Sequence, residues 1–301
     1  MTIQSGTQQI ALTSPPPEES DRLLAEVNEL LTSGTFDPKD SERLQQMVAA
    51  LADSRGMIRL GFVEAFGKIG QAAAPYLMEG LANNPNPVIR RSCGKALAKI
   101  SDPAAIPILI NALLHDEDTV ARSSAAGAVA KMGAPVVPAL LEILGGSYEQ
   151  AAKGHAAWAL GFMAEEIAPQ LYEAMGSDNP DVRTAVAGAL AKIAGEEQEG
   201  QEQAEEAGRA IAILIKALED PITSVRVEAA ATLGQIRHQG AVTQLISLLD
   251  DPDLEVRRTA ILALGKIGDR VALEPLQAKI AYEVEQIRAV AKLAISQIEN
   301  N

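Results

Sequence analysis

The chain has 301 residues, of which 47% are hydrophobic and only 3% are aromatic, so Ala, Leu, Ile and Val must build its core. Its 40 acidic and 26 basic residues give a net charge of −14, which argues against nucleic acid or an anionic membrane surface as a partner. The single cysteine, Cys93, excludes an internal disulfide and a cysteine-rich metal site.

The sequence contains no membrane or export signal. No apolar run approaches the roughly 18 residues that a membrane-spanning helix needs. The first residues, MTIQSGTQQIALTS, lack the basic and apolar segments of a signal peptide. We therefore expect a soluble, cytoplasmic protein without insertion into a membrane.

The chain begins with a predicted tail and a predicted capping helix. Residues 1–17 are rich in Ser, Thr and Gln and end in three prolines, a composition that predicts a disordered segment. Residues 18–34 have the apolar spacing of a helix, with Ser20 or Asp21 as its N-cap and Gly34 as its end. Because this helix does not match the pattern that follows it, we interpret it as an N-terminal cap.

Residues 35–301 contain a repeated sequence motif. It is clearest at 250–269, where an Asp-Pro turn precedes apolar residues at three- and four-residue spacing. A basic residue, here called the anchor, occupies the same position of the motif eight times. Successive anchors are 30 to 32 residues apart, and once 43. Apolar residues lie seven and ten positions after every anchor, and Gly or Ala lies eight positions after seven of them. The anchors are Arg59, Arg90, Arg122, Lys153, Arg183, Arg226, Arg257 and Arg288.

Proline marks an earlier, shorter helix in four of these units. Pro75, Pro107 and Pro138 lie 15 residues before their anchors, and Pro169 lies 14 residues before its own. A proline in the first turn of a helix loses no hydrogen bond and presets φ. Since neither helix of a pair can bury its apolar side alone, neighbouring pairs must stack. The sequence predicts an all-α fold: a right-handed α-solenoid of about eight helix-pair repeats behind the N-terminal capping helix.

The 43-residue spacing contains an acidic insertion of about 12 residues at 195–206, reading GEEQEGQEQAEE. Two interpretations remain open. The segment is either a solvated loop or helix extension, or an acidic arm that steers a basic patch of a partner protein.

Three segments carry a family resemblance. Residues 96–102, 256–260 and 263–269 read ALAKISD, VRRTA and ALGKIGD. They resemble HEAT repeats, specifically the armadillo-like HEAT repeats of the cyanobacterial phycobilisome lyase group of the E/F type, over about residues 40–299. The resemblance implies a ladder of hydrogen bonds between repeats, made by an Asp six residues before each anchor. Asp53, Asp116, Asp220 and Asp251 match that position, Asn84 substitutes, and Ser147 and Tyr282 depart from it.

No conventional catalytic motif is present in the sequence. It contains no Gly-rich phosphate loop, no H-E-x-x-H, no G-x-S-x-G and no paired cysteine. We therefore assign no catalytic residue and no metal ligand, and favour a function other than that of an enzyme. Cys93 aligns with small apolar residues of other repeats, which predicts a buried core position rather than a nucleophile.

The fourth repeat carries an aromatic cluster. His155, Trp158 and Phe162 lie two, five and nine residues after Lys153, and Tyr148 lies in the turn before them. Their helical spacing predicts one shared face outside the core positions. Either the aromatic side chains fold over a gap left by the irregular Gly-Gly-Ser-Tyr turn, or they form a binding hot spot for a partner or a planar ligand.

The position of Phe162 is lysine in most other repeats. In HEAT repeats the second helix conventionally lines the concave face, so the resemblance places these lysines there together with Trp158. The row either meets an acidic partner or ligand carboxylates, or it is simply the solvent-facing residue of the repeat. It consists of Lys68, Lys99, Lys131, Lys192 and Lys266.

Two function hypotheses follow. The first is a non-catalytic scaffold without a cofactor that binds a protein partner through its concave face. By resemblance it assists the maturation of a phycobiliprotein, the phycobilisome or another photosynthetic cofactor protein, and its partner is a phycobiliprotein or a second HEAT-repeat subunit. The alternative is a subunit of a phycobilin lyase, which attaches phycocyanobilin or a related bilin to a phycobiliprotein cysteine. Tyr148, His155, Trp158 and Phe162 would then hold the bilin.

Overall fold

The computed structural model describes residues 15–195, 201–282 and 284–300. Most of the predicted tail and the middle of the predicted acidic insertion, residues 196–200, lie outside the described residues. Within the described ranges every regular element is an α-helix or a 3-10 helix. The chain divides into two compact units, the first ending at Val136 and the second beginning at Val137.

In the described part of the chain no single helix is both long and apolar enough to span a membrane. Two consecutive helices, Thr119–Ala130 and Ala134–Gly145, reach the required length and composition only when they are taken together.

The first helix, α1 (Pro17–Ser33), begins earlier than the sequence predicts. The predicted N-cap residues, Ser20 and Asp21, lie inside the helix, and Pro16 is the N-cap instead. The predicted N-cap is wrong because Pro17 belongs to the helix and not to the tail, since a proline in the first helical turn is favourable. The predicted end is confirmed, since Gly34 adopts the left-handed φ of 70° that terminates a helix.

Helix pairs follow in both units, as the repeated sequence motif predicts. The pairs of the first unit are α2 (Ser41–Ala50) with α3 (Gly56–Ile69), α4 (Ala74–Asn83) with α5 (Pro87–Ile100), and α6 (Ile106–His115) with α7 (Thr119–Ala130). Those of the second unit are α8 (Val137–Gly145) with α9 (Gln150–Phe162), α10 (Ala168–Ala174) with α11 (Pro180–Gly195), α12 (Gln201–Ala217) with α13 (Thr223–Gln235), α14 (Val242–Ser247) with α15 (Leu254–Ile267), and α16 (Leu273–Tyr282) with α17 (Glu285–Glu299). The prediction of an all-α solenoid of stacked helix pairs is confirmed.

The prolines have the predicted role. Pro75, Pro107, Pro138 and Pro169 each lie in the first turn of the first helix of a pair, where φ is already set and no backbone donor is lost. The end of the predicted acidic insertion forms the first turns of α12, while its middle lies outside the described residues.

The second helices of neighbouring pairs pack closely on one another within each unit. Leu, Ile, Val and Ala fill the contacts, and the apolar residues seven positions after the anchors are fully buried at Leu160, Leu190 and Leu233. The small residue at the eighth position is required at Gly234, because a Cβ there would lie 2.6 Å from the Cα of Ala263 on α15. That distance is shorter than any real contact, so the prediction of a close helix approach is confirmed here.

An arginine–aspartate ladder joins successive repeats. Arg183 donates two hydrogen bonds to the carboxylate of Asp220 in the next repeat, from Nε to Oδ2 at 2.8 Å and from Nη2 to Oδ1 at 2.9 Å. Its remaining nitrogen, Nη1, donates to the backbone oxygen of Ser177 in its own turn at 2.8 Å. One guanidinium therefore holds the turns of two repeats at once.

The same bidentate bond recurs at two other junctions. Arg226 binds Asp251 in the second unit at 2.9 and 3.0 Å. Arg90 binds Asp116 in the first unit at 2.8 and 2.7 Å. Each acceptor carboxylate also accepts the backbone N–H two residues further along the chain, which fixes the turn that presents it. The ladder that the family resemblance implied is confirmed at these junctions.

Asp53 has a different partner because it belongs to the first repeat. Its carboxylate accepts hydrogen bonds from Arg55, and these bonds lower the pKa of Asp53 to about 2. Arg55 also donates to Asp21 and to the backbone oxygen of Pro17, at 2.9 Å each. This arginine therefore fastens the capping helix α1 to the first repeat.

The ladder sets the charge state of its aspartates. Burial by itself raises the pKa of Asp220, but hydrogen bonds from Arg183 and from the N–H of Ile222 outweigh burial. The pKa of Asp220 is therefore held below the usual range of an aspartate. The carboxylate stays ionised, and its ion pair persists, at any pH at which the chain would ordinarily be handled.

We expect Asp220→Asn to lower the free energy of unfolding by about 2 kcal/mol at neutral pH, since an amide cannot accept both bonds from Arg183. Because the folded-state pKa of Asp220 is depressed, its contribution is complete above the ordinary value of 3.8 and is lost as the pH falls through the lower folded value. The difference between wild type and variant in urea denaturation should therefore close as the pH falls below that ordinary value.

The matched control is Asp178→Asn, which removes the same charge from an exposed side chain in the preceding turn. We expect this change to stay within about 0.5 kcal/mol of the wild type. A difference for Asp220→Asn that persists unchanged into acid would contradict an ionic origin.

Candidate functional site

A groove opens in the second unit between the second helices α9, α11 and α13, with a volume of about 670 Å³. Small residues leave this space, because Gly154 and Gly161 of α9 face Ala185 and Gly188 of α11 across it. A cavity of this size is within the range that holds a small organic ligand.

The groove lies where the ladder is interrupted. Lys153 occupies the anchor position and Ser177 the position of the aspartate, so the bidentate bond is absent from this junction. The Nζ of Lys153 instead pairs with Oδ2 of Asp181 at 2.7 Å. Asn179 donates from Nδ2 to the backbone oxygen of Gly145 at 2.9 Å. An amine and an amide replace the guanidinium fork, and neither imposes the same fixed geometry.

The helices α9 and α11 are also less closely packed than the pair further along the chain. A Cβ on Gly161 of α9 would lie 3.9 Å from the Cα of Ala189 on α11, which is an ordinary contact distance. The equivalent Cβ on Gly234 would lie 2.6 Å from Ala263. The wider approach at α9 and α11 provides the floor of the groove.

Trp158 and Phe162 form an aromatic wall along the α9 side of the groove. Their ring centroids are 5.5 Å apart with the ring planes tilted by 30°. Trp158 is 52% exposed and Phe162 is 51% exposed, so the two rings contact each other without being enclosed by the core. Leu160 and Met163 between and beyond them are buried. The aromatic pair is therefore an addition to the repeat and not a substitute for its core.

The other two residues of the predicted aromatic cluster lie elsewhere. Tyr148 is 37% exposed, and its ring lies over Gly146, where a Cβ would come within 2.7 Å of Tyr148 Cε2. His155 is half-buried on α9. The described lining of the groove contains Trp158 and Phe162 but neither Tyr148 nor His155. The structure therefore brings two of the four predicted residues together.

Glu228 of α13 is a groove residue that sequence reasoning missed. Its carboxylate lies above Gly188, where a Cβ would come within 2.7 Å of Glu228 Oε1. Burial raises the pKa of Glu228 above the usual range of a glutamate. A partial signal was present, since Glu228 stands two residues after its anchor, where most other repeats have a small or hydroxyl residue such as Ser92 or Thr259, with His155 and Val290 as the exceptions.

Three ionisable groups lie in the groove: Lys153, Asp181 and Glu228. The first two pair with each other at 2.7 Å. Glu228 forms no hydrogen bond or ion pair with the described residues, and burial is the sole cause of its raised pKa. The described groove therefore combines an aromatic wall with one carboxylate whose charge is not balanced by a neighbouring side chain.

The lysine row is exposed, as its position in the repeat predicts, and none of its members lines the groove. Lys99 pairs with Glu64 at 2.7 Å in the first unit, and Lys192 pairs with Glu165 at 2.9 Å in the second. The row lies at the ends of the second helices: the last turns of α3, α5, α11 and α15 contain Lys68, Lys99, Lys192 and Lys266, and Lys131 is the C-cap of α7.

Cys93 is fully buried in α5, and burial raises the pKa of its thiol. A thiol in this state is a poor nucleophile, so the prediction of a core residue is confirmed. No group of three or more His, Cys, Asp or Glu residues in the described ranges is placed to hold a metal ion.

Comparison with known proteins identifies several similarities. The family model for HEAT repeats matches residues 44–130, 74–161, 137–204 and 211–296. The chain is 39% identical over 238 residues to the bilin biosynthesis protein MpeU of Synechococcus sp. strain WH8020, covering 79% of this chain and 77% of that protein. Among solved structures, the complex of CpcE and CpcF of phycocyanin lyase from Nostoc sp. PCC7120 matches with 26% identity and a TM-score of 0.41, over 54% of this chain and 99% of that one. Human deoxyhypusine hydroxylase matches with 20% identity and a TM-score of 0.37, over 95% of this chain and 100% of that one.

We expect the double change Lys153→Arg with Ser177→Asp to rebuild the missing ladder bond and raise the free energy of unfolding by about 1 kcal/mol. The backbone oxygen of Ser177 already accepts a bond from Arg183, as the oxygen of Asp220 does from Arg226, so the turn has the geometry of the intact junctions. Urea denaturation measures the change.

Each single change is the control for the other. Lys153→Arg alone has no carboxylate at position 177 to bind, and Ser177→Asp alone meets only an amine. The rebuilt bond should therefore appear as coupling between the two sites in a double-mutant cycle. Purely additive effects would show that the interruption of the ladder is not what separates these repeats.

Proposed function

Because the chain belongs to the HEAT-repeat proteins of the phycobilisome lyase group, we propose that it acts in phycobiliprotein maturation by holding a linear tetrapyrrole in its groove and presenting it to a phycobiliprotein cysteine. The observation that carries this proposal is the groove between α9, α11 and α13, in which the pair of Trp158 and Phe162 faces an interior that contains a half-buried carboxylate.

The aromatic wall suits a flat conjugated ligand. Both rings of the pair leave about half of their surface exposed, at 52% for Trp158 and 51% for Phe162. Exposed aromatic faces gain most from a planar molecule that stacks on them, since stacking buries a large apolar area at small entropic cost. Bare backbone beside the rings, at Gly154 and Gly161 of α9, lets such a molecule approach closely, since a Cβ at Gly154 would meet nothing within 4 Å.

The thiol that accepts the bilin would come from the partner protein. Cys93, the one cysteine of the chain, is buried, and the raised pKa of its thiol leaves it protonated. Attachment adds the S–H of the substrate cysteine across an exocyclic double bond of the bilin. A C–S bond forms, the hydrogen goes to the neighbouring carbon, and no oxidant or reductant is consumed. The contribution of this chain would then be orientation of the bilin, and assembly of the site would involve the phycobiliprotein or a second HEAT-repeat subunit.

The second candidate is a scaffold that binds a protein partner without a bilin. It is supported by the exposure of the aromatic pair, because exposed Trp and Phe residues beside small residues are also typical of binding hot spots between proteins. In this case Trp158 and Phe162 would insert into the partner, and the exposed lysines such as Lys192 would lie at the rim of the interface.

We expect the purified protein to bind phycocyanobilin with a red shift of the visible absorbance band. The double change of Trp158 and Phe162 to Ala should weaken this binding at least about tenfold, because it removes the surface on which the bilin stacks. Both side chains are half exposed, so the folded state should be retained, and circular dichroism checks this.

The matched control is Leu293→Ala. Leu293 occupies the position of Trp158 in the last repeat and is also 52% exposed, but it lies outside the groove. Wild-type affinity is expected for this variant. If phycocyanobilin causes no spectral change, and a phycobiliprotein pull-down is lost in the Trp158 and Phe162 double variant, the scaffold is the correct assignment.

A further inference from the structure

The carboxylate of Glu228 is placed in the groove at a cost in free energy. It projects from α13 over the bare backbone of Gly188 on α11, so close that a methyl group at Gly188 would displace it. An ionised carboxylate that loses water without gaining a hydrogen-bond donor is destabilising. Burial accounts for the whole of the rise in the pKa of Glu228, and no described side chain offsets it.

The other charges of the groove do not provide that missing donor. Lys153 on α9 is the groove's one basic residue among those described, and its Nζ is bound to Asp181 of α11 at 2.7 Å. The remaining polar groups that α11 and α13 contribute are the hydroxyls of Thr184 and Ser224, which bond to each other at 3.1 Å. The groove therefore has one more negative than positive charge, and the excess is located at Glu228.

We propose that Glu228 is the residue that orients the ligand in the groove, accepting hydrogen bonds from the ligand's ring N–H groups and favouring its protonated, cationic form. This inference rests on the proposed function and deepens it. It assigns the groove to a planar conjugated ligand that presents nitrogen donors along one edge, held between the aromatic wall of Trp158 and Phe162 and the carboxylate on α13.

The chemistry of a linear tetrapyrrole matches this arrangement. Its pyrrole nitrogens line one edge of the conjugated chain, and one of them is basic and can accept a proton. A carboxylate within hydrogen-bonding distance stabilises the resulting cation, and the bond is charge-assisted, which makes it stronger than one between neutral groups. Excluding water from the groove strengthens the pairing further. The ligand's carboxylates would then point away from Glu228, because like charges repel.

The test uses the full-length protein and phycocyanobilin as the probe. Glu228→Gln keeps the size of the side chain and removes its charge. We expect binding to weaken at least about tenfold. The bound pigment should also lose the strong long-wavelength band of a protonated bilin. The pH at which the bound pigment gives up its proton should fall by about one unit or more. Glu228→Asp, which keeps the charge, should retain the protonated spectrum in part.

Glu219→Gln is the control, since it removes the same charge from an exposed residue outside the groove. It should leave the affinity and the pH midpoint unchanged. A purely structural role of Glu228 would lower the amount of folded protein without moving that midpoint, so thermal unfolding of each variant is measured alongside.

The outcomes separate the two proposals. If the wild type binds phycocyanobilin and Glu228→Gln binds it with the same affinity and the same pH midpoint, the role of Glu228 is overturned while the groove remains a bilin site. If the wild type binds no phycocyanobilin, with or without a phycobiliprotein subunit, the proposed function is overturned and the role of Glu228 with it. Weaker binding together with a lowered midpoint supports both.

Discussion

The bidentate bond between an arginine and the aspartate of the next repeat is the contact on which the geometry of the second unit depends. A guanidinium is planar and presents parallel N–H groups, so it donates to both oxygens of a carboxylate in essentially one relative orientation. Because Arg183 also binds the carbonyl of its own turn, the position of one turn fixes the position of the next. Where the bonds from Arg183 and Arg226 are intact, the second helices stack so closely that only glycine fits at Gly234.

The groove lies at a junction that has neither that bond nor close packing of the second helices. The junction of α15 with α17 also lacks the bond, since Tyr282 stands at the aspartate position, but there a Cβ on Gly265 would lie 3.0 Å from the Cα of Ala294. At the groove, Lys153 offers a single flexible charge and Ser177 offers no carboxylate, and α9 and α11 are further apart than the second helices later in the unit. Small residues on both helices then leave open space instead of a packed contact. In the described part of the second unit, the other junctions between second helices have either the ladder bond, from Arg183 or Arg226, or close packing, at Gly265.

The fold was predictable from the sequence because every helix pair needs the same spacing of apolar and small residues to stack on its neighbours, and that spacing repeats along the chain. Trp158 and Phe162 were also predictable, since each stands where other repeats place a different kind of residue. Glu228 was not found, because it belongs to a later repeat beyond the acidic insertion, and only stacking of α13 on α11 brings it to the groove. The role of Arg55 in fastening the capping helix was missed for the same reason: its partner Asp21 is distant in the chain.

A repeat array can acquire a binding site at small cost because its core and its surface use different positions of the same helix. In the fourth repeat the core positions are filled by Leu160 and Met163, which remain buried, while the aromatic pair occupies positions that are exposed or half-buried in other repeats. Changing those positions leaves the packing between helices untouched. The same separation explains why the chain would contribute no nucleophile of its own: its one thiol, on Cys93, lies in the core, and what reaches the groove is aromatic surface and one unbalanced carboxylate. Under the proposed function, such a site would orient and charge the ligand, and the reactive group would come from the partner.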